Sequence, residues 1–195
     1  EGGSLDGVGS VESFFIGKYE VTQKEWVEVM GYNNSINQSG ENYPVEKISW
    51  YEAMKFCNAK SKAEGLEEVY EFEDENIPCV VKVNNQKRGY RLPSRKEWLY
   101  AAKGGVNSKG YKYSGSNDIN EAGWNTVNGN DESHPVGQKI ANELGIYDMS
   151  GNVWEFTSET YTDMVYCGGG SFYWDAVPEE FSGFLNYLND GGVGE

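Results

Sequence analysis

The sequence predicts an α+β domain with few helices, short strands and much ordered loop. Three observations predict it. Three segments carry complete helix start and stop signals, the other apolar runs are short and bounded by Gly, Asn and Asp, and 25 Gly against 5 Pro in 195 residues call for tight turns and close backbone approaches instead of long regular elements.

In chain order, residues 1–10, rich in Gly and Ser, read as a flexible segment. Their Glu1-Gly2-Gly3-Ser4 opening reads as a processed start, which leaves export open. Residues 11–16 read as a strand and 18–21 as its extended continuation. Thr22-Gln23-Lys24-Glu25 opens the first helix, with Trp26, Val29 and Met30 on one face and Gly31 as its stop. Ser49-Trp50-Tyr51-Glu52 opens the second, with Ala53, Phe56 and Cys57 inward and Gly65 closing it. Ser94-Arg95-Lys96-Glu97 opens the third, with Trp98, Ala101 and Ala102 inward and Gly104 closing it. Each start is a capping box, in which the hydroxyl accepts from the N3 amide and the Glu reaches back to the cap N–H. A Gly beyond the last turn suits the left-handed cap. Residues 69–73 and 79–83 read as strands, and Asn84-Asn85 as a turn. Residues 106–140 are polar and turn-rich and read as surface loop pinned by Tyr111, Tyr113 and Trp124. Short strands are expected near 145–148, 153–157 and 167–173. No repeat or linker divides the chain, so residues 11–195 read as one domain.

Sixteen Lys and Arg against 31 Asp and Glu give a net charge of −15. That excludes a nucleic-acid partner, because phosphate recognition needs a basic stripe, and it disfavours anionic membrane surfaces. No apolar run approaches the length of a span, so direct membrane insertion is not expected. Cys57, Cys79 and Cys167 show no metal-ligand or redox spacing, and Cys57 on a helix face reads as core packing. One His, His134, cannot build a multi-histidine metal centre, and structural packing is its better reading. Arg91 and Arg95 flank Pro93 and read as scaffold residues, with anion binding as the alternative.

Five blocks stand out: Ile16-Gly17-Lys18-Tyr19-Glu20-Val21-Thr22, Pro44-Val45-Glu46-Lys47-Ile48-Ser49-Trp50, Tyr90-Arg91-Leu92-Pro93-Ser94-Arg95-Lys96-Glu97-Trp98, His134-Pro135-Val136-Gly137, and residues 145–155 (Gly145-Ile146-Tyr147-Asp148-Met149-Ser150-Gly151-Asn152-Val153-Trp154-Glu155), followed by Cys167-Gly168-Gly169-Gly170-Ser171-Phe172. Each alone is a weak signal. In this order they make the chain resemble the formylglycine-generating-enzyme (sulfatase-modifying factor) family. The resemblance implies a compact variant of the C-type lectin fold, with a small sheet, two main helices and long ordered loops. Two groups share that scaffold: oxidases that convert a sulfatase cysteine to formylglycine, with related iron enzymes, and the variable proteins of diversity-generating retroelements, which display a diversified C-terminal patch.

The oxidase chemistry needs two thiolates on copper, a soft pair with Cu(I). In the family they follow the Gly-Gly-Ser-aromatic motif, at positions that correspond here to Trp174 and Glu179, and neither replaces a thiolate. No catalytic residue is therefore assigned and no copper or iron is expected. The resemblance also implies a structural Ca2+ held by the Asp148 side chain, the Gly151 and Val153 carbonyls and the Glu155 carboxylate, hard oxygen donors that suit it. The alternative is that Asp148 starts a turn and Glu155 satisfies buried amides.

From Phe172 onward there is no Lys, Arg, Cys or His. Aromatic residues alternate irregularly with Ser, Gly, Asn and Asp, with neither period 2 nor period 3.6. That mixture resembles a paratope, with rigid aromatic anchors among adaptable polar neighbours. Retroelement mutagenesis scatters Asn codons to residues such as Asp, Ser, Gly, Tyr, Phe, Leu, Ala and Val, and much of the tail fits that set. The expectation is a ligand-binding display protein with a variable region at about 168–195. Its candidate contacts are Tyr173, Trp174, Asp175, Phe181, Phe184, Asn186, Tyr187, Asn189 and Asp190, its partner a protein on a host or target cell surface, and its location the cell surface or outside the cell. An oxidase with a relocated site is the competing class.

Overall fold

The computed structural model describes residues 2–72 and 81–158. The described chain runs β1 (Gly3–Leu5), β2 (Gly9–Val11), α1 (Gln23–Met30), α2 (Trp50–Ala63), β3 (Tyr70–Phe72), β4 (Val81–Val83), α3 (Arg95–Ala102), a 3-10 turn (Gly105–Asn107) and α4 (Ile119–Ala122). β1 pairs with β2, and β3 with β4, both antiparallel. Most of the rest is loop held by side-chain hydrogen bonds. This is the α+β architecture expected, with few helices and short strands.

The three main helices begin where the sequence places them. Thr22, Ser49 and Ser94 are extended N-caps whose hydroxyls accept from the N–H of Glu25, Glu52 and Glu97. The reciprocal bond from cap N–H to Glu forms at Ser49 and Ser94. Gly31, Gly65 and Gly104 sit in the left-handed region beyond the helix ends.

Several strand expectations differ. Residues 1–10 carry a hairpin: β1 and β2 turn through Gly7 and Gly9 at positive φ, with the Val8 N–H donating to the Leu5 carbonyl. Only Val11 of residues 11–16 belongs to a strand. The segment keeps the in–out alternation of a strand, Phe14 and Ile16 leaning on the core and Phe15 fully exposed, without a ladder partner among the described residues. Residues 145–148 form no strand, because Gly145 and Asp148 take positive φ, away from the extended backbone of a ladder, and residues 153–157 belong to no strand among the described residues. Residues 106–140 are not wholly irregular, since they contain the 3-10 turn and α4.

The core is three adjoining clusters. Ala53, Met54 and Cys57 of α2 pack on Val69, Tyr70 and Leu92. Ala101 and Ala102 of α3 meet Ile146 and Met149. Trp26 of α1 lies against Val45 and Phe56. The Cys57 thiol is buried in the first of these, and burial pushes it up to about 12. A thiol needs its thiolate form to react. Cys57 is therefore expected to resist iodoacetamide at pH 8 until the protein unfolds, as peptide mapping after timed alkylation would read.

Candidate functional site

Four of the sequence blocks converge on the fifth and its extension, residues 147–158, the last described segment before the tail. The Tyr147 N–H donates to the Lys18 carbonyl at 3.0 Å. The Gly137 N–H donates to Asp148 Oδ2 at 2.6 Å. The Asn152 side chain pairs with both backbone groups of His134: its Oδ1 accepts from the N–H at 2.8 Å and its Nδ2 donates to the carbonyl at 3.1 Å. Trp98 Nε1 donates to Glu155 Oε2 at 3.0 Å. Trp50 Nε1 donates to the Thr157 carbonyl at 2.9 Å, and the Ser158 N–H to the Pro93 carbonyl at 2.8 Å. Each of these four blocks thus grips one stretch of backbone.

His134 is a structural residue. Its ring stacks on Trp124 with centroids 3.8 Å apart, and Nε2 lies 2.9 Å from the Gly129 carbonyl. Arg91 makes a bidentate pair with Glu97, 2.6 and 2.8 Å, and also donates to the Leu92 carbonyl. Its charge is consumed within the scaffold. Arg91 holds the Glu97 carboxyl below its ordinary 4.5, with help from Ser94. A depressed carboxyl contributes its stability in full above the unfolded value and loses it as pH falls through the folded one. Glu97→Gln is accordingly expected to lower Tm at pH 7 and to lessen the fall in Tm below about pH 4.5, as thermal melts across the acid range would show.

Asp148 is almost wholly buried and left-handed at φ 61°. Its Oδ1 has no hydrogen-bond partner among the described residues, and burial raises its carboxyl. Glu155 is pushed up to about 7, first by burial of its carboxyl end and then by the Asp148 charge, against a lowering bond from Trp98. The residue as a whole is exposed. A third carboxylate, Glu20, completes the group. It is raised by burial and by the charges of Glu155 and Asp148, while Oε2 accepts from Asn152 Nδ2 at 2.7 Å and Oε1 from the Val153 N–H at 3.2 Å. An orphaned buried carboxylate oxygen amid mutually repelling acids is an arrangement that a hard cation relieves. The expected donors Asp148, Gly151, Val153 and Glu155 fit in chemical type. Among the described residues no three acidic, His or Cys side chains converge as a cage, so a cation here depends on the backbone carbonyls. The sequence reading missed Glu20, Asn152 and Trp98, although all three lie inside the quoted blocks.

The candidate ligand contacts Tyr173, Trp174, Asp175, Phe181, Phe184, Asn186, Tyr187, Asn189 and Asp190 lie outside the described residues, as do Cys79, Cys167 and Glu179.

Residues 7–186 match the model of the sulfatase-modifying factor enzyme 1-like domain. The chain belongs to this family. Among its relatives, a protein named chaperone protein LppX from Paenibacillus barcinonensis is 42% identical over 185 residues, covering 78% of this chain and 66% of the relative. One named inactive C-alpha-formylglycine-generating enzyme 2 from Bos taurus is 28% identical over 148 residues, covering 70% of this chain and 39% of the relative. Treponema denticola variable protein 1 superposes with a TM-score of 0.60 at 29% identity, covering 73% of this chain and 65% of that one. The chain therefore spans about two thirds of the Paenibacillus relative and about two fifths of the bovine one. The formylglycine-generating-enzyme type of fold expected from the blocks is the fold found. Its relatives include one named inactive, so likeness to this family does not entail catalysis.

Proposed function

We propose that this protein is a non-enzymatic, ligand-binding display protein: a lectin-like frame, stiffened by a structural Ca2+, presenting residues of about 168–195 to a protein ligand. The observation that carries the reading is the convergence of four blocks on the fifth at residues 147–158, which lead into a tail with Trp174 and Glu179 where the oxidase members hold copper with thiolates. A frame built to hold that backbone, without the soft ligands the oxidation needs, supports binding over chemistry. The names of the Treponema variable protein and the Paenibacillus chaperone support the same coarse reading, since neither names an enzyme.

Asp148, Gly151, Val153 and Glu155 would hold the Ca2+, which supplies charge neutralisation and crosslinks the turn that precedes the tail. The protein partner lies on a host or target cell surface, and the protein itself acts at the cell surface or outside the cell. The aromatic anchors then carry the affinity, and the acidic surface steers toward a basic partner. Panning the protein and its Tyr173→Ala and Trp174→Ala variants against host-cell surface proteins tests the proposal. A partner captured by the parent and lost by the variants is expected; capture indifferent to the tail removes the idea. The family's enzymatic name keeps one alternative, a relocated oxidase. It requires copper-dependent oxygen consumption on a cysteine-containing peptide that a Cys167→Ser variant abolishes.

A further inference from the structure

The Asn152–Val153 peptide lies between the Gly151 and Val153 carbonyls, the two backbone donors of the candidate cation loop. We propose that Glu20 is the positioning residue of this loop: its carboxylate clamps that peptide and so presets both carbonyls for a hard divalent cation. The inference rests on the Ca2+ reading above and adds a residue from the opposite end of the described chain.

Three observations carry it. Both Glu20 oxygens are spent on the loop, one on the Asn152 side chain and one on the Val153 N–H. Asn152 is in turn fastened on its other sides, by the His134 backbone and by its own N–H donating to the Trp124 carbonyl at 3.1 Å. Glu20 therefore closes a bracket around a residue at φ 65°, a left-handed conformation that Asn adopts more readily than most residues. Finally, Asp148 Oδ1 is buried on the same turn and has no hydrogen-bond partner among the described residues, an arrangement that a nearby cation relieves. Each Glu20 oxygen already accepts a hydrogen bond from the loop, which fixes the carboxylate as the loop's anchor and leaves each oxygen one further lone pair. Its negative charge adds to those of Asp148 and Glu155, so the clamp is tolerated best when a cation sits nearby. Positioning of metal ligands by outer residues commonly governs metal affinity by about ten- to a hundredfold.

The test is a titration of the full chain with terbium chloride, read by luminescence excited through tryptophan and competed with calcium chloride. Melting curves in EDTA and in calcium accompany it. Asp148→Asn is the control and is expected to abolish binding. Glu20→Gln, which keeps the shape but loses an acceptor, is expected to weaken both ions by at least about tenfold and to shrink the calcium-induced rise in Tm, with the Tm in EDTA little changed. Glu20→Asp keeps the charge but not the reach, and is expected to weaken binding as well. Asn152→Ala is expected to do the same, with no further loss in the double variant. Wild-type affinity in Glu20→Gln or Glu20→Asp, or a Tm loss equal in EDTA and calcium with affinity intact, overturns the role of Glu20 alone. No binding by the parent protein, or binding unaffected by Asp148→Asn, overturns the Ca2+ reading and this inference with it.

Discussion

Trp26→Ala is expected to cost about 3–5 kcal/mol, the range for truncating a buried Trp or Phe. Trp26 is 1% exposed. Its indole stacks on Phe56 of α2 at 5.1 Å and 6° and meets the Tyr32 ring edge-on at 6.0 Å. This one side chain joins α1 to α2, so its loss opens a cavity at their junction. The fall in Tm should be roughly 6–20 °C for a chain of this size. Trp26→Phe provides the contrast. It keeps an aromatic ring against Phe56 and removes an indole N–H that has no partner among the described residues, so it is expected to cost less than half as much. Thermal and urea melts of both variants check the claim; equal losses would mean that the ring stack contributes little.

Gly123→Ala is the second large effect, and its cause is steric. A Cβ at residue 123 would lie 1.4 Å from the Ser150 carbonyl oxygen and 2.6 Å from its carbon. Both are backbone atoms, so no side-chain rotation relieves the clash. Residues around Ser150 must shift, and they form the turn that carries Asp148, Gly151 and Asn152. The expected cost is at least about 1–3 kcal/mol, typical of overpacking. A second signature follows from the place of the clash: Gly123→Ala should impair the response of Tm to calcium more than Trp26→Ala does, because it displaces the proposed cation loop directly. Paired melts in EDTA and calcium separate the two.

The helices were legible because local chemistry fixes them. A Ser or Thr followed three residues later by Glu, with Gly past the end, names start and stop without reference to the rest of the chain. The strands were less legible. The sequence shows alternation at residues 11–16 but not whether a partner strand lies alongside, and the in–out pattern there is met by core contacts of Phe14 and Ile16 instead. Residues 145–148 looked like a strand because Ile146 and Tyr147 are apolar or aromatic, while the left-handed backbone of Asp148 and Asn152 is a tertiary effect. Half of the candidate site was legible in the same sense. Asp148 and Glu155 are close in sequence and follow from the resemblance. Glu20 reaches the loop across more than a hundred residues, a distance over which no periodicity speaks. The Asn152–His134 pairing likewise explains why two blocks occur together, but only after folding.

The proposed function divides the molecule into a frame that holds and a tail that binds. Its most direct test compares dissociation constants for the panned partner between two sets of variants of matched Tm. One set truncates the tail anchors Tyr173, Trp174, Phe184 and Tyr187 to Ala. The other truncates exposed apolar residues of the frame, Phe15, Ile36 and Val127. Removal of interface anchors at about 2 kcal/mol or more each predicts a loss of at least roughly thirtyfold for single tail variants, with the frame set within about threefold of the parent. Affinity that survives the tail set and collapses with the frame set would contradict the account.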